Sequence, residues 1–454
     1  MTSLNSNFLT VNRIDVIFKY LFLKLKDKSP QFANKIYYDH IKIITNGLFK
    51  EKDNFKSSYE DFLNGFLKLD ENIKKQGFNS EISRIPLSID GSIINGAHRL
   101  ASSLYHGVKV DTCNTGNKSH NYNYEFFKVR GLQDHILEYG ILNYLELTKN
   151  NHLAIIWPSA NKKIKYLDFF QEIIFDKKIQ LNSNGAQNFV AQVYKDQKWI
   201  GGFKEGYSGA ITKVAEAFNN FDEIHFIFFK SDSLKEANLI KNELRKLFKI
   251  GKASIHITDT DKETIGLGKL ILNPNSEEFL NNSKPYMYDT LFNKLFELKE
   301  NIKENGYSLN DFALTSSSVL GIYGYREPND IDYLSFTELN SSNIYQSHNK
   351  LIDKYSDNLD QLIYNPKNYF YYNDFKFLSI DQIKNFKKSK NEIKDKLDLQ
   401  LIKKRESFNS KLLYLKTLNL LQKVKFKTIA FLIPFSKKYG FYNFAKLVYK
   451  KLSQ

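Results

Sequence analysis

The sequence predicts a multidomain protein that combines α/β and α+β units. At 454 residues, the chain is longer than a single hydrophobic core usually organises. Between residues 151 and 290, apolar runs typical of buried strands alternate with amphipathic helices. After residue 291, a serine-rich turn precedes a strand-like run that carries two aspartates one residue apart. These patterns indicate a layered α/β unit followed by a mixed unit.

Five segments follow from the distribution of apolar runs, turns and charge. The apolar spacing in VIFKYLFLKL and HIKIITNGLF is helical, which makes the N-terminal segment helical. No internal repeat or low-complexity linker separates the segments. Their expected bounds are 1–54 for the helical N-terminal segment, 55–150 for a first mixed unit, 151–290 for an α/β domain, 291–402 for a second mixed unit and 403–454 for a basic amphipathic helical tail.

Composition excludes several classes of protein. The single cysteine, Cys113, rules out an internal disulfide and a thiolate zinc site, and it fits a reducing compartment. No apolar run reaches the ~20 residues of a membrane span. The run RIDVIFKYLFLKLKDK is interrupted by Lys19, Lys24 and Lys26, which favours an amphipathic helix over a signal peptide. We therefore expect a cytoplasmic protein.

Most of the net charge of +16 lies in the tail. Residues 403–454 contain thirteen Lys and Arg and one acid, Glu406, and so carry +12. Basic and apolar residues alternate there, which predicts an interfacial helix pair on the anionic inner face of a membrane. A helical hairpin packed on the preceding unit, an acidic partner protein and an anionic polymer are alternatives. The low charge of residues 1–402 disfavours nucleic acid as a partner.

A glycine-containing turn stands out in the first mixed unit. A helix ending near Gly77 is followed by the strand-like runs RIPLSI and SIING, joined at Asp90-Gly91, and by the helix AHRLASSLYHG. The turn would present backbone N–H groups to a phosphate, Arg99 would add a charge-assisted contact, and His98 would donate a hydrogen bond or shuttle a proton. An ordinary strand–turn–helix with a solvated Arg99 is the alternative.

This order of elements, over about residues 55–115, resembles the ParB/sulfiredoxin-like domain. Some members of that family are kinases that use ADP or ATP. The resemblance implies that the turn binds nucleotide phosphate and that His98 is catalytic. Asn95 stands where kinase-like members often have an acid, and the nearest carboxylates in the sequence are Glu81 and Asp90. The phosphate-binding residues that the resemblance implies are Asn95, Gly96, His98 and Arg99.

A second motif, TSSSVLGIYGYREPNDIDYLSF, lies in the second mixed unit. Asp330 and Asp332 are two residues apart on a predicted strand and share a face. Such a pair can hold a divalent ion against a triphosphate, and the serine-rich turn at 316–318 would contact the β- and γ-phosphates. Alternatively, both aspartates are polar residues of a turn that follows Pro328.

The motif resembles that of polymerase-β-type nucleotidyltransferases, in which a small-residue turn precedes a D-x-D strand. The resemblance implies Mg²⁺ and ATP or another nucleoside triphosphate, with Asp330 and Asp332 as metal ligands and catalytic residues. Ser317 and Ser318 match the Gly-Ser turn, and Arg326 in the intervening loop would bind phosphate. The family also uses a third carboxylate on a later strand, to which we assign no residue. The later acids are Asp374, in a predicted hairpin turn, and Asp395 and Asp398, a predicted helical pair.

The α/β domain offers a third candidate site in SIHITDTDKET. His256, Asp259 and Glu263 follow a predicted strand, where α/β proteins concentrate ligand sites. Lys230 ends the preceding strand, and Lys241 and Arg245 share one helix face. A substrate or phosphate pocket would include Lys230, Arg245, His256 and Asp259. In the alternative, Asp259 and Thr258 cap the following helix, while His225 belongs to the core.

These candidate sites predict a nucleotide-dependent phosphoryl or nucleotidyl transferase that acts on a small molecule. Two nucleotide-handling units and a membrane-binding tail associate it with bacterial surface-polysaccharide biosynthesis, by analogy alone. A ParB-like DNA-associated protein is one alternative, although the sequence shows no helix-turn-helix after the first unit. A non-catalytic nucleotide-binding scaffold is the other.

Overall fold

The protein is described by a computed structural model over residues 5–51, 56–118, 120–160, 163–340, 342–410 and 440–441. Within these ranges it is a mixed α/β protein with three sheets, which confirms the predicted class at that level. Of the predicted tail, residues 403–410 complete a helix and 440–441 are described. The rest of 403–454, and with it the predicted interfacial helix pair, lies outside the described residues.

The first 150 residues form helices around a short parallel sheet. Their elements are α1 (Asp15–Leu25), α2 (Pro30–Ile44), α3 (Tyr59–Gln76), β1 (Ile85–Leu87), α4 (Ala97–His106), β2 (Thr112–Asn114), α5 (Tyr124–Val129) and α6 (Asp134–Leu147). Helix α3 ends before Gly77, as predicted, and it begins with a capping box of Ser58 and Asp61. β1 pairs with β2 in parallel.

Two expectations for this region need correction. Helix α1 is buried on nearly all sides rather than amphipathic, because Lys19 pairs with Asp15 at 3.0 Å inside the core. The run SIING forms no strand: Ile93 makes only an isolated bridge with Leu87. The Asp90 carboxylate closes the preceding turn by accepting from the backbone N–H and the hydroxyl of Ser92, at 3.1 Å each, and α4 begins four residues after Ile93.

The middle of the chain forms one four-stranded sheet with helices on both faces. Its elements are β3 (Asn151–Ile156), β4 (Glu172–Ile179), α7 (Ser183–Tyr194), α8 (Ala210–Ala217), β5 (Ile224–Lys230), α9 (Leu234–Phe248), β6 (Ile255–Ile257), α10 (Asp261–Ile271) and α11 (Ser276–Asn282). The strand order is β4-β5-β3-β6, and every neighbouring pair is antiparallel. Strand β4 was not predicted, because it is an edge strand whose charged residues hide its apolar pattern.

Both faces of β3 are buried, which explains its continuous apolar run. Leu153 and Ile155 join the main core, whereas Ala154 and Ile156 join a second cluster that includes Leu244 of α9. Helix α10 is capped by Thr260, whose hydroxyl accepts from Glu263 N, rather than by Asp259 or Thr258.

The last unit contains a five-stranded mixed sheet. Its elements are α12 (Asp289–Glu304), β7 (Phe312–Thr315), α13 (Ser317–Ile322), β8 (Ile331–Ser335), β9 (Tyr345–Ser347), α14 (Leu359–Tyr364), β10 (Tyr369–Tyr372), β11 (Phe375–Leu378), α15 (Ile380–Lys390) and α16 (Ile393–Ser410). The strand order is β10-β11-β7-β8-β9. Antiparallel pairing of β7 with β8 places Thr315 opposite Asp332, and parallel pairing of β8 with β9 places Gln346 beside Asp332.

One apolar core runs through all three regions, from Leu9 to Ile402. Polar contacts also cross the predicted boundaries, such as the ion pair of Lys28 with Asp311 at 2.9 Å. No helix in the described ranges is both long and apolar enough to cross a membrane.

Candidate functional site

The serine-rich turn joins β7 to α13 and faces the D-x-D strand. Ser316 has φ +52° and ψ −122°, a conformation that favours glycine, so the chain reverses sharply after Thr315. The reversal brings the Ser317 hydroxyl to 3.4 Å from Asp332 Oδ2. The Ser318 hydroxyl accepts from the Asp332 N–H at 3.2 Å. The turn therefore holds β8 in place and lies directly against one of the two aspartates.

The carboxylates of Asp330 and Asp332 face a common point. The side-chain amide Nε2 of Gln346 on β9 donates to Asp330 Oδ2 at 2.7 Å and lies 3.2 Å from Asp332 Oδ1. Asp332 is 4% exposed, whereas Asp330 is partly open to solvent. Burial and the neighbouring charge of Asp332 raise the pKa of Asp330. Two close carboxylates with one shared neutral donor form a site that favours a cation.

A histidine follows the strand of Gln346 and contacts the same carboxylate. His348 Nε2 lies 3.3 Å from Asp332 Oδ1, and its Nδ1 lies 3.0 Å from the Tyr355 hydroxyl. That hydroxyl lies 2.8 Å from Thr315 Oγ1 at the end of β7. Burial lowers the pKa of His348, although the charge of Asp332 opposes the shift. A neutral ring that donates from Nε2 to Asp332 and accepts at Nδ1 from Tyr355 satisfies every contact.

Arg326 is engaged away from the serine turn. Its guanidinium makes a two-pronged ion pair with Asp398 of α16, at 2.7 and 3.0 Å. Asp398 and Asp395 both accept from the buried Lys387 of α15, at 2.7 and 3.0 Å. The expected phosphate contact of Arg326 would therefore compete with a formed ion pair.

Within the described residues, none of the later acids that the sequence offered forms a metal-binding group with Asp330 and Asp332. Asp374 lies in the β10–β11 hairpin turn, where it pairs with Lys299 at 2.6 Å, and Asp395 and Asp398 bind Lys387. The residue of β9 beside both aspartates is Gln346, a neutral amide. Sequence reasoning missed Gln346 and His348, because the short strand NIYQSH carries no clear alternation. The only sequence signal for these two residues was a glutamine two positions before a histidine.

Within the described ranges, no three or more His, Cys, Asp or Glu side chains form a group suited to hold a metal ion. Magnesium needs less from the protein, because it commonly binds one or two carboxylates and completes its coordination with water and substrate phosphates. The pair Asp330 and Asp332, with the raised pKa of Asp330, fits a cation that arrives with a nucleotide.

The residues of the first candidate site lie on one turn, but their side chains are engaged. Asn95 Oδ1 accepts from the Gly96 N–H at 2.6 Å, and Gly96 has φ +87°. The Arg99 guanidinium folds back over Gly96 and donates to the Ser83 hydroxyl and, at 3.4 Å, to the Arg84 carbonyl. Arg99 thus ties α4 to the segment before β1, so it is neither aimed at a free phosphate site nor the solvated residue of the strand–turn–helix alternative.

The imidazole of His98 is directed into the protein, where one of its ring nitrogens has a partner. Its Nε2 lies 2.9 Å from the Tyr37 hydroxyl, and its ring packs against Phe66 with centroids 4.6 Å apart. Burial lowers the pKa of His98 well below its usual value. Asp90 accepts from Ser88, Ser92 and Asn12, while Glu81 lies exposed in the loop before β1. Neither Asp90 nor Glu81 forms a hydrogen bond with His98, so neither is positioned to exchange a proton with it.

Three of the four residues proposed for the middle site line one cavity. Arg245, His256 and Asp259 contribute to it, whereas Lys230 ends β5 in register with Asn151 and Glu172. Asp259 pairs with Lys241 at 3.0 Å, and His256 Nε2 lies 3.2 Å from Glu263 Oε1. His225 is buried between Tyr166 and Asp176, as expected for a core histidine.

Comparison with known proteins adds no assignment. A scan against protein-family models, a search of curated proteins and a search of solved structures returned no match for this chain.

Proposed function

We propose that the chain is a nucleotide-dependent transferase whose centre is formed by Asp330 and Asp332, and that it passes a phosphoryl or nucleotidyl group to a small molecule. The observation that carries this proposal is the convergence of both carboxylates on the amide of Gln346, beside the turn at Ser316–Ser318. Paired carboxylates next to a small-residue turn suit a nucleoside triphosphate held with a cation.

Asp330 and Asp332 are the residues that would hold Mg²⁺. The ion would neutralise charge on the nucleotide phosphates. In the chain itself, Ser317 and His348 fix the Asp332 carboxylate from two sides, and Gln346 reduces the repulsion between the two aspartates. Because the hydroxyls of Ser317 and Ser318 contact Asp332, the backbone N–H groups of the turn would supply the donors for phosphate oxygens.

A second candidate function is nucleotide binding without transfer. Gln346 favours it, because a neutral amide lies where a further carboxylate would complete a stronger metal site. The ion pair of Arg326 with Asp398 favours it too, since it removes a cation that could stabilise charge during transfer. Binding and transfer must therefore be measured separately.

Calorimetric titration of the full chain with ATP and with CTP, each with MgCl2, tests nucleotide binding. We expect saturable binding that Asp330→Asn and Asp332→Asn each weaken about tenfold or more. Asp353→Asn is the matched control, because this exposed carboxylate lies in the same unit and its loss changes the net charge equally. Absence of binding, or equal loss in the control, contradicts both candidate functions.

Phosphorus NMR of nucleotide incubated with the chain and a mixture of bacterial small molecules then separates the candidates. Release of pyrophosphate indicates nucleotidyl transfer, and a nucleoside diphosphate indicates phosphoryl transfer. Binding that needs both aspartates, with neither product formed, supports the non-catalytic function and contradicts the transferase.

A further inference from the structure

A cavity of about 1340 Å³ is lined by residues of both the middle unit and the last sheet. It is walled by α8, α9, β6 and α10 on one side and by the β10–β11 hairpin, residues 371–374, on the other. The hairpin strand β10 is three strands away from β8, which carries Asp332, so this cavity is distinct from the aspartate site. Its volume is larger than the 300–1,000 Å³ or so of common small-molecule pockets.

Positive charge predominates on the cavity wall, and most of its carboxylates are already paired. Asp259 pairs with Lys241, Glu263 with His256, and Asp374 with Lys299 outside the cavity. The remaining acids of the wall, Asp196 and Glu216, are exposed to solvent. The lysines and arginine of the wall are Lys195, Lys213, Lys241, Arg245, Lys252, Lys262 and Lys269.

Lys213 is the most deeply placed of these cations. It is 6% exposed, and its ammonium lies over the ring of Trp157 at 5.7 Å. Its one hydrogen bond within the described chain goes to the carbonyl of Lys252 at 2.6 Å, and no carboxylate there forms an ion pair with it. An ammonium has three donors, so two are left for other partners. Burial lowers the pKa of Lys213 to about 8; Glu216 opposes this shift, and Arg245 and Lys252 add to it.

Arg245 faces the same region from α9. Its Nε is buried without a partner among the described residues, and an Nη reaches the Ile255 carbonyl only at 3.5 Å. The positive charge of Arg245 acts to lower the pKa of Lys213 and that of the Tyr194 hydroxyl, so the two cations lie close enough to repel each other. Glu216 offsets part of this positive charge, but neither Lys213 nor Arg245 forms an ion pair within the described residues, and two such cations with unused donors are costly unless an anion joins them.

We propose that Lys213 and Arg245 bind the phosphate of a small phosphorylated ligand in this cavity. A phosphate oxygen accepts from Lys213 as from a point charge, and a guanidinium offers two parallel donors to the same group. The remaining volume accommodates the organic part of the ligand, against the exposed ring of Trp199, which is tilted against the ring of Tyr194 with centroids 5.1 Å apart. This site does not rest on the function proposed for Asp330 and Asp332.

The tryptophans report on the cavity directly. The chain has only two, Trp157 beside Lys213 and Trp199 on the cavity wall. We expect inorganic pyrophosphate, added to the full chain at constant ionic strength, to produce a saturable change in tryptophan fluorescence. Lys213→Gln and Arg245→Gln should each weaken this binding about tenfold or more. Lys246→Gln, an equal charge change at an exposed neighbour on α9, should leave it unchanged.

A measurement on the unmodified chain guards against variants that fail to fold. Pyrophosphate should slow acylation of Lys213 by an amine-specific reagent at least several-fold, as followed by mass spectrometry, and leave the acylation of Lys246 unaffected. The absence of a saturable fluorescence change overturns the proposal, as does equal weakening by Lys246→Gln or an unprotected Lys213. Loss of the signal in Asp330→Asn, with Lys213→Gln unaffected, would assign the pyrophosphate to the aspartate site and also overturn it.

Discussion

The Gln346 amide donates to Asp330 Oδ2 at 2.7 Å, across the edge of the sheet formed by β8 and β9. The same nitrogen lies 3.2 Å from Asp332, so one neutral side chain bridges the two acids. A donor shared by two carboxylates reduces their repulsion, so the Gln346 amide has part of the stabilising effect that a bound cation would have. Because Gln346 is neutral, the side chain at this position decides whether the site holds two carboxylates or three.

We therefore expect Gln346→Glu to make the fold dependent on Mg²⁺. Without metal, a third carboxylate loses the donor and adds repulsion, which should lower the free energy of unfolding by about 1–3 kcal/mol. With millimolar MgCl2 the variant should regain stability by a larger increment than the wild type does. Thermal unfolding with and without MgCl2 measures both. Gln346→Ala removes the donor without adding charge, and an equal Mg²⁺ response in that variant would contradict the assignment.

The aspartate pair was foreseeable from sequence, but its surroundings were not. A D-x-D spacing places two side chains on one face of any strand, so Asp330 and Asp332 were found from local pattern alone. Gln346 and His348 reach them only because β9 pairs with β8 in parallel, a long-range register that a strand of three residues does not encode. Arg326 was assigned to phosphate from the resemblance, and its ion pair could not be foreseen because the partner Asp398 lies 72 residues away along the chain.

The same contrast holds for the fold. The strands β3 and β5 were predicted because runs buried on both faces read as continuous apolar stretches, and β6 was predicted from the apolar residues that flank His256. β4 was missed, because an edge strand with Asp176 and Lys177 lacks that pattern. The lysines of α1 suggested a solvated face, but Lys19 has a buried partner in Asp15, and sequence does not distinguish a solvated charge from a paired one.

Ser316→Gly should stabilise the protein. Ser316 has φ +52° and ψ −122°, where a side chain costs about 1–3 kcal/mol and glycine costs little. After allowing for the greater entropy of glycine in the unfolded chain, we expect a gain of roughly 0.5–1 kcal/mol by denaturant unfolding. Ser389→Gly, on an exposed part of α15, should cost roughly 0.5–1 kcal/mol. A loss at position 316 comparable to that at 389 would show that the backbone there is not strained.

Lys387→Met should be strongly destabilising. Lys387 is 2% exposed and pairs with Asp395 and Asp398, which are also buried. Its removal takes away the ammonium that Asp395 pairs with and leaves Asp398 with Arg326 alone. Breaking a buried ion pair on one side typically costs about 3–5 kcal/mol. Lys388→Met, at the exposed neighbouring position, should stay within about 0.5 kcal/mol of the wild type. Urea titrations that gave equal losses for the two variants would contradict this role.

His135 should make the fold sensitive to mild acid. Burial lowers the pKa of this imidazole to about 4, and the charges of Lys367 and Lys35 add to the shift. The unfolded chain takes up a proton near pH 6.5, so stability is complete above that pH and falls towards pH 4, by roughly 2 kcal/mol. His135→Phe keeps a ring beside Phe32 and should flatten this part of the stability–pH curve. His120→Phe, at an exposed position, should leave the curve as steep as in the wild type; equal slopes in all three proteins would assign the acid sensitivity to other groups.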